Sequence, residues 1–135
     1  MLKKTIVYHD YDGNERSENF YFNLSKAEVM EMAFSFAGGM TNVIEQMVNT
    51  QDTARIMELF KKIIMAAYGE KSADGKRFIK IGPDGRRLAE GFVETEAYSE
   101  LFMELVSDPK KFADFIAAVI PALPAEAKAA LAAAE

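Results

Sequence analysis

Apolar and polar positions follow two different periods along the chain, and the change of period separates a short β-rich start from a long helical remainder. Thr5-Ile6-Val7-Tyr8 is rich in β-branched and aromatic residues, and Phe20-Tyr21-Phe22 forms a second apolar run. Between them Asp10-Tyr11-Asp12-Gly13-Asn14 has the composition of a turn with Asp-Gly at its centre. Gly13 accepts the positive φ that tight hairpin turns require, so the pattern predicts a β-hairpin. Its outer part, with Asp10, Asp12, Glu15, Arg16 and Glu18, should be solvated.

The helical period begins at a capping box. Ser25 can accept from a backbone N–H of the first turn while Glu28 reaches back, and Leu24 is placed to act as a hydrophobic staple. This helix should run to about Ala37 and stop at Gly38-Gly39. Thr41 can cap a second short helix bearing Val43, Ile44, Met47 and Val48, which Gln51-Asp52 interrupts. The third pattern is the clearest, because Ile56, Leu59, Phe60, Ile63, Ile64 and Ala67 follow one apolar face. Gly69 reads as its C-cap. A polar loop from Glu70 to Lys76 precedes a short strand in Phe78-Ile79-Lys80-Ile81 and a turn at Gly82-Pro83-Asp84-Gly85.

Arg86 to Phe92 reads as a short helix weakened by Gly91. Thr95 then caps a helix with Tyr98, Leu101, Phe102 and Leu105 on one face. At Asp108-Pro109 an aspartate cap and a proline at the first helical position start another, lined by Phe112, Phe115, Ile116 and Val119 and ended by Pro121 and Pro124. The expected architecture is therefore α+β and mainly helical, an N-terminal β-hairpin followed by about five to six α-helices. Residues 1–121 should form one domain, and residues 122–135 an alanine-rich C-terminal helix or frayed tail carrying one large apolar residue, Leu131.

Composition narrows the function classes. Half of the 135 residues are hydrophobic and about a quarter are charged, which suits a folded, soluble domain. The net charge of −5 argues against nucleic-acid binding, since phosphate backbones reward clustered cations. The pairs Lys61-Lys62, Lys76-Arg77, Arg86-Arg87 and Lys110-Lys111 lie far apart in sequence, although folding could bring them together. There is no cysteine, so disulfides, thiolate metal sites and cysteine nucleophiles are excluded together. No stretch approaches the roughly 18 apolar residues that span a membrane, and no signal-peptide core follows the basic N-terminus. The expected location is the cytosol.

Candidate chemistry is sparse. His9 is the sole histidine and lies in a predicted strand, where a structural role is the commoner one. Asp10-x-Asp12-x-Asn14 begins like a calcium loop, but Glu15 stands where glycine is needed and Tyr21 where the bidentate acid is needed. Gly69-Glu70-Lys71-Ser72-Ala73-Asp74-Gly75-Lys76 imitates a phosphate loop, but five residues separate the glycines and Arg77 replaces the magnesium-binding hydroxyl. No catalytic residues, metal or cofactor are expected, and an enzyme is the least favoured class.

The surface patterns point to binding instead. Eight methionines and ten phenylalanines give wide apolar faces, and methionine adapts to varied partners. Met30 and Phe34, and further on Met57 and Met65, lie off the main apolar stripes of their helices and are candidate partner contacts. The ordinary alternative is that those helices are buried on two sides. Glu90, Glu94, Glu96, Glu100, Glu104 and Asp108 fall in a stretch without Lys or Arg from Leu88 to Asp108. A solvated helix face explains such a run most simply. Glu96, Glu100 and Glu104 repel one another at spacings of four, however, so they are also candidates for meeting a basic partner.

Three segments carry a family resemblance: Glu18 to Glu28, Ala67 to Lys80, and Glu94 to Leu105. They resemble the tail assembly chaperones of siphophages and prophages of Gram-positive bacteria, over roughly Lys4 to Pro121. The Gly82-Pro83-Asp84-Gly85-Arg86-Arg87 stretch and the alanine-rich tail depart from that pattern. The resemblance implies a non-enzymatic protein of the host bacterial cytoplasm, absent from the mature virion. Its implied client is the tape measure protein, bound through helical segments and kept soluble until the tube forms. The major tail protein is a second candidate partner and self-association a third, and a longer frameshifted product occurs in many such families. Neither nucleic acid nor membrane is an expected partner. The residues leave two other readings open, an acidic inhibitor that mimics DNA and a structural tail component.

Overall fold

The computed structural model describes residues 1–33, 42, 45, 46, 49 and 53–120. The hairpin forms where the alternation places it, as β1 (Leu2–His9) and β2 (Glu15–Phe22). Gly13 takes φ +82°, and its N–H donates to the Asp10 carbonyl at 3.0 Å. The Asp10 carboxylate accepts from the N–H groups of Asp12 and Asn14 and from Arg16, which holds its carboxyl below the usual range. The second strand starts at Glu15, well before the apolar run at Phe20, because it is held by β1 along its whole length. Ile6 and Tyr8 are buried while Thr5, Val7 and His9 are exposed, so one face of the sheet meets the core.

Ser25 caps α1 (Lys26–Ala33) as the capping box predicts: its hydroxyl accepts from the Glu28 N–H, and the Glu28 carboxylate accepts from the Ser25 N–H. The expected continuation to Ala37, the stop at Gly38-Gly39, the Thr41 cap, the apolar residues of the short second helix and the break at Gln51-Asp52 lie outside the described residues, while Asn42, Glu45, Gln46 and Asn49 are helical. Helix α2 (Thr53–Ala67) buries Leu59, Phe60, Ile63, Ile64 and Ala67.

At the end of α2 the expectation for Gly69 is corrected. The chain passes directly from Ala67 into β3 (Tyr68–Lys71), where Gly69 pairs with Tyr21 and has no positive φ. A Cβ at Gly69 would stand 2.6 Å from the Ile79 carbonyl oxygen and 2.7 Å from the Phe78 ring. The glycine is there for close approach of β4 (Phe78–Ile79), not for a left-handed cap. The polar loop accordingly shrinks to Ser72–Arg77, closed by Ser72 and Asp74 around Gly75 at φ +73°. The four strands form an antiparallel sheet in the order β1-β2-β3-β4. The turn at Gly82–Gly85 forms as expected, with Gly85 at φ +79°.

Three helices follow: α3 (Leu88–Val93), α4 (Glu96–Val106) and α5 (Pro109–Val119). Asp108 accepts from the N–H groups of Lys110 and Lys111, with Pro109 in the first turn. Thr95 stands at the N-cap of α4 in an extended conformation, but its hydroxyl donates back to the Phe92 carbonyl at 2.7 Å. The Thr95 N–H donates to the same carbonyl at 3.0 Å. Helix α4 packs along β1, and α5 packs beside α4. The chain beyond Ile120, including the alanine-rich tail, lies outside the described residues.

Rings fill the space between sheet and helices. Tyr68 stacks on Phe92 at 4.5 Å, and Phe22 meets Tyr68, Phe92 and Phe115 edge-on. Burial pushes the Tyr68 hydroxyl up to about 12. Phe60 carries the cluster across α2 to Phe102, Phe112 and Phe115. The architecture is α+β, with five helices among the described residues.

Candidate partner-binding surface

The outer side of α2 is positioned by a cation beneath its C-terminal turn. Helix ends leave carbonyls without intrahelical donors, and positive charge is favourable there. The Lys80 ammonium donates to the carbonyls of Ala66 and Asn23, both at 2.7 Å, and to the Glu28 carboxylate. Arg87 adds a bond from Nε to the Met65 carbonyl at 3.1 Å. The Asn23 N–H donates to Ala67 O and the Leu24 N–H to Val119 O, so the link into α1 is tied to the ends of α2 and α5. Lys80 thus joins β4, the start of α1 and the end of α2. Burial lowers its pKa, and Glu28 opposes that shift. Burial raises the Glu28 carboxyl, but Lys80 and the Ser25 N–H outweigh it and the net shift is downward.

This anchoring leaves an open groove of about 550 Å³ beside α2. Met32 from α1 and Met65 and Ala66 from α2 give it a largely carbon surface. Among its described lining residues Lys61, Lys62 and Arg87 are cations, against one carboxylate, Glu58. Glu58 is itself engaged by Arg55 at 3.1 Å and Lys62 at 3.5 Å. A second groove of about 330 Å³ lies between α2 and α4, lined by Met57, Lys61, Tyr98, Ser99, Phe102 and Met103. Lys61 borders both grooves. Long unbranched side chains over an apolar floor form a surface that can reshape around a guest.

The residues singled out from sequence are dispersed over this framework. Met57 is 42% exposed and lines the second groove; Met65 is half-buried and lines the first. Met30 is 70% exposed on α1 and is not among the residues lining either groove. Phe34 lies outside the described residues. The three glutamates of α4 have separate environments. Glu104 sits between Lys4 at 3.0 Å and Lys111 at 3.9 Å. Glu96 is half-buried, and its interaction with the Tyr11 hydroxyl raises the Tyr11 pKa. Glu100 faces solvent.

Sequence reasoning left open whether the separated basic pairs converge, and the first groove brings Lys61, Lys62 and Arg87 together. Such reasoning missed Lys80, whose partners come from α1, α2 and the link between β2 and α1. His9 is exposed at the end of β1, across from Glu15. Among the described residues, no group of three or more His, Cys, Asp or Glu side chains is placed to hold a metal ion, and no helix is long and apolar enough to cross a membrane.

A family model described as phage tail assembly chaperone matches residues 1–134, extending through the alanine-rich segment set apart above. No curated protein and no solved structure matches the chain.

Proposed function

The chain belongs to a phage tail assembly chaperone family, and from that premise we propose that it binds helical segments of the tape measure protein and keeps them soluble during tail morphogenesis. The match over residues 1–134 carries the reading. Membership of a chaperone family favours binding over catalysis. The grooves beside α2 supply a suitable surface, since a client with long apolar seams needs adaptable apolar cover before assembly. The protein would act in the host cytoplasm and be displaced as the major tail protein polymerises around the client, remaining absent from the finished virion. A DNA-mimic role is less favoured, because Glu104 is held by two lysines.

Co-expression with the neighbouring tape measure protein tests this directly. The expected result is a soluble complex recovered by pull-down, lost on Met65→Glu without loss of the chaperone's own fold. A client that stays equally insoluble with or without the chain, and no recovered complex, would sink the proposal. Mass spectrometry of purified virions separates it from the structural-component reading, which requires the chain to remain.

A further inference from the structure

The acidic stretch and the net charge suggest a surface seeking basic partners, but the groove beside α2 has the opposite character. Its apolar lining is bordered by Lys61, Lys62 and Arg87, with Glu58 as the only carboxylate among its described lining residues. Among the described residues Lys61 makes no ion pair, whereas Glu58 is already engaged by Arg55 and Lys62. Arg87 is fixed by its bond to the Met65 carbonyl, and no carboxylate pairs with it among the described residues. Among the described lining residues the rim is therefore net positive while the floor is carbon.

From this complementarity we infer that the groove selects an amphipathic partner helix whose apolar seam is flanked by Asp and Glu. The apolar seam meets Met32, Met65 and Ala66, and the flanking carboxylates meet Lys61 and Arg87. Such charges contribute to specificity and encounter rate, since a Lys-flanked helix would meet like charge at the same rim. The inference rests on the chaperone reading for its biological client, but it concerns the charge sign of that client's docking segment.

The probes are two fluorescein-labelled helical peptides of about 18 residues, long enough for five turns. They share one leucine and alanine seam and differ only in Glu or Lys flanks. Titrated with the full chain at low salt, the Glu-flanked peptide should bind about tenfold more tightly, equivalent to about 1.4 kcal/mol. Lys61→Glu should reduce or reverse that preference, and raised salt should shrink it. Met65→Glu should weaken both peptides.

Equal binding of the two peptides, a preference for the Lys-flanked one, or binding of neither would overturn the inference. So would a preference that Lys61→Glu leaves unchanged. Sedimentation at the same concentrations identifies a further overturning outcome, in which a second copy fills the groove and Lys61→Glu dissolves the assembly. Tape measure solubilisation is read separately. Solubilisation without a charge preference removes this inference alone, and a charge preference without solubilisation removes the client assignment alone.

Discussion

The inner face of α2 carries Leu59, Phe60, Ile63, Ile64 and Ala67, each at most 1% exposed, whereas its outer face carries Met57, Lys61, Lys62 and Met65 and remains partly or largely open. Both faces are rich in carbon, but they differ in stiffness. Branched and aromatic side chains have few rotamers and specify one packing arrangement. Methionine and lysine have long unbranched stems that fill irregular spaces and can rearrange. One helix thus serves as the rigid wall of the core and as an adaptable surface.

Phe60→Ala tests the rigid side most severely. The ring touches Tyr98, Phe102, Phe112 and Phe115, so its loss opens a cavity between α2, α4 and α5. Urea denaturation should show a loss of about 3–5 kcal/mol. A cost under about 1 kcal/mol would mean that the core re-forms around the gap, and the contrast between the faces would weaken.

Lys80→Met ranks next, because Lys80 is where the two sides are joined. The change leaves the carbonyls of Ala66 and Asn23 without their charged donor and Glu28 without its cation. The expected cost is about 2–3 kcal/mol. The same pair sets an acid limb. The Glu28 carboxyl is lowered on folding, so its contribution is complete above the ordinary glutamate pKa and drains away as pH falls through the folded value. Glu28→Gln should flatten the loss of stability over that acidic window, and a limb as steep as that of the unmodified protein would assign it to other carboxylates.

Gly69→Ala should cost about 1–3 kcal/mol, since the new methyl meets a backbone carbonyl that cannot swing aside. This position also marks the boundary of what could be read from sequence. The hairpin turn, the capping box at Ser25, the apolar face of α2 and the Asp108-Pro109 start are local signals, and each appears where its residues placed it. Gly69 after a helix looks locally like a cap, and only the arrival of β4 from further along the chain gives the glycine its other role. Thr95 marks the start of α4 as read, but its hydroxyl bonds the Phe92 carbonyl instead of a first-turn N–H. The candidate surface was half legible. Met57 and Met65 could be found by their departure from the apolar stripe. The convergence of Lys61, Lys62 and Arg87 depends on the fold, as does the pairing of Glu104 with Lys4 across 100 residues of chain.

Met57→Leu should have the smallest effect on stability, within about 0.5 kcal/mol, because the side chain is 42% exposed on the outer face. Its effect on the proposed client, the tape measure protein, is the sharper measurement. Leucine has similar apolar area but a branched, stiffer side chain. If the outer face works by area alone, tape measure binding should be unchanged. If it works by reshaping, binding should weaken by about two- to threefold while the denaturation midpoint stays in place, since the stiffer chain loses contacts that methionine can adjust to make. Titration of the soluble complex decides between them. Weaker binding at constant stability would place adaptability in the side chains of this face, and unchanged binding would reduce the difference between the two faces of α2 to one of exposure.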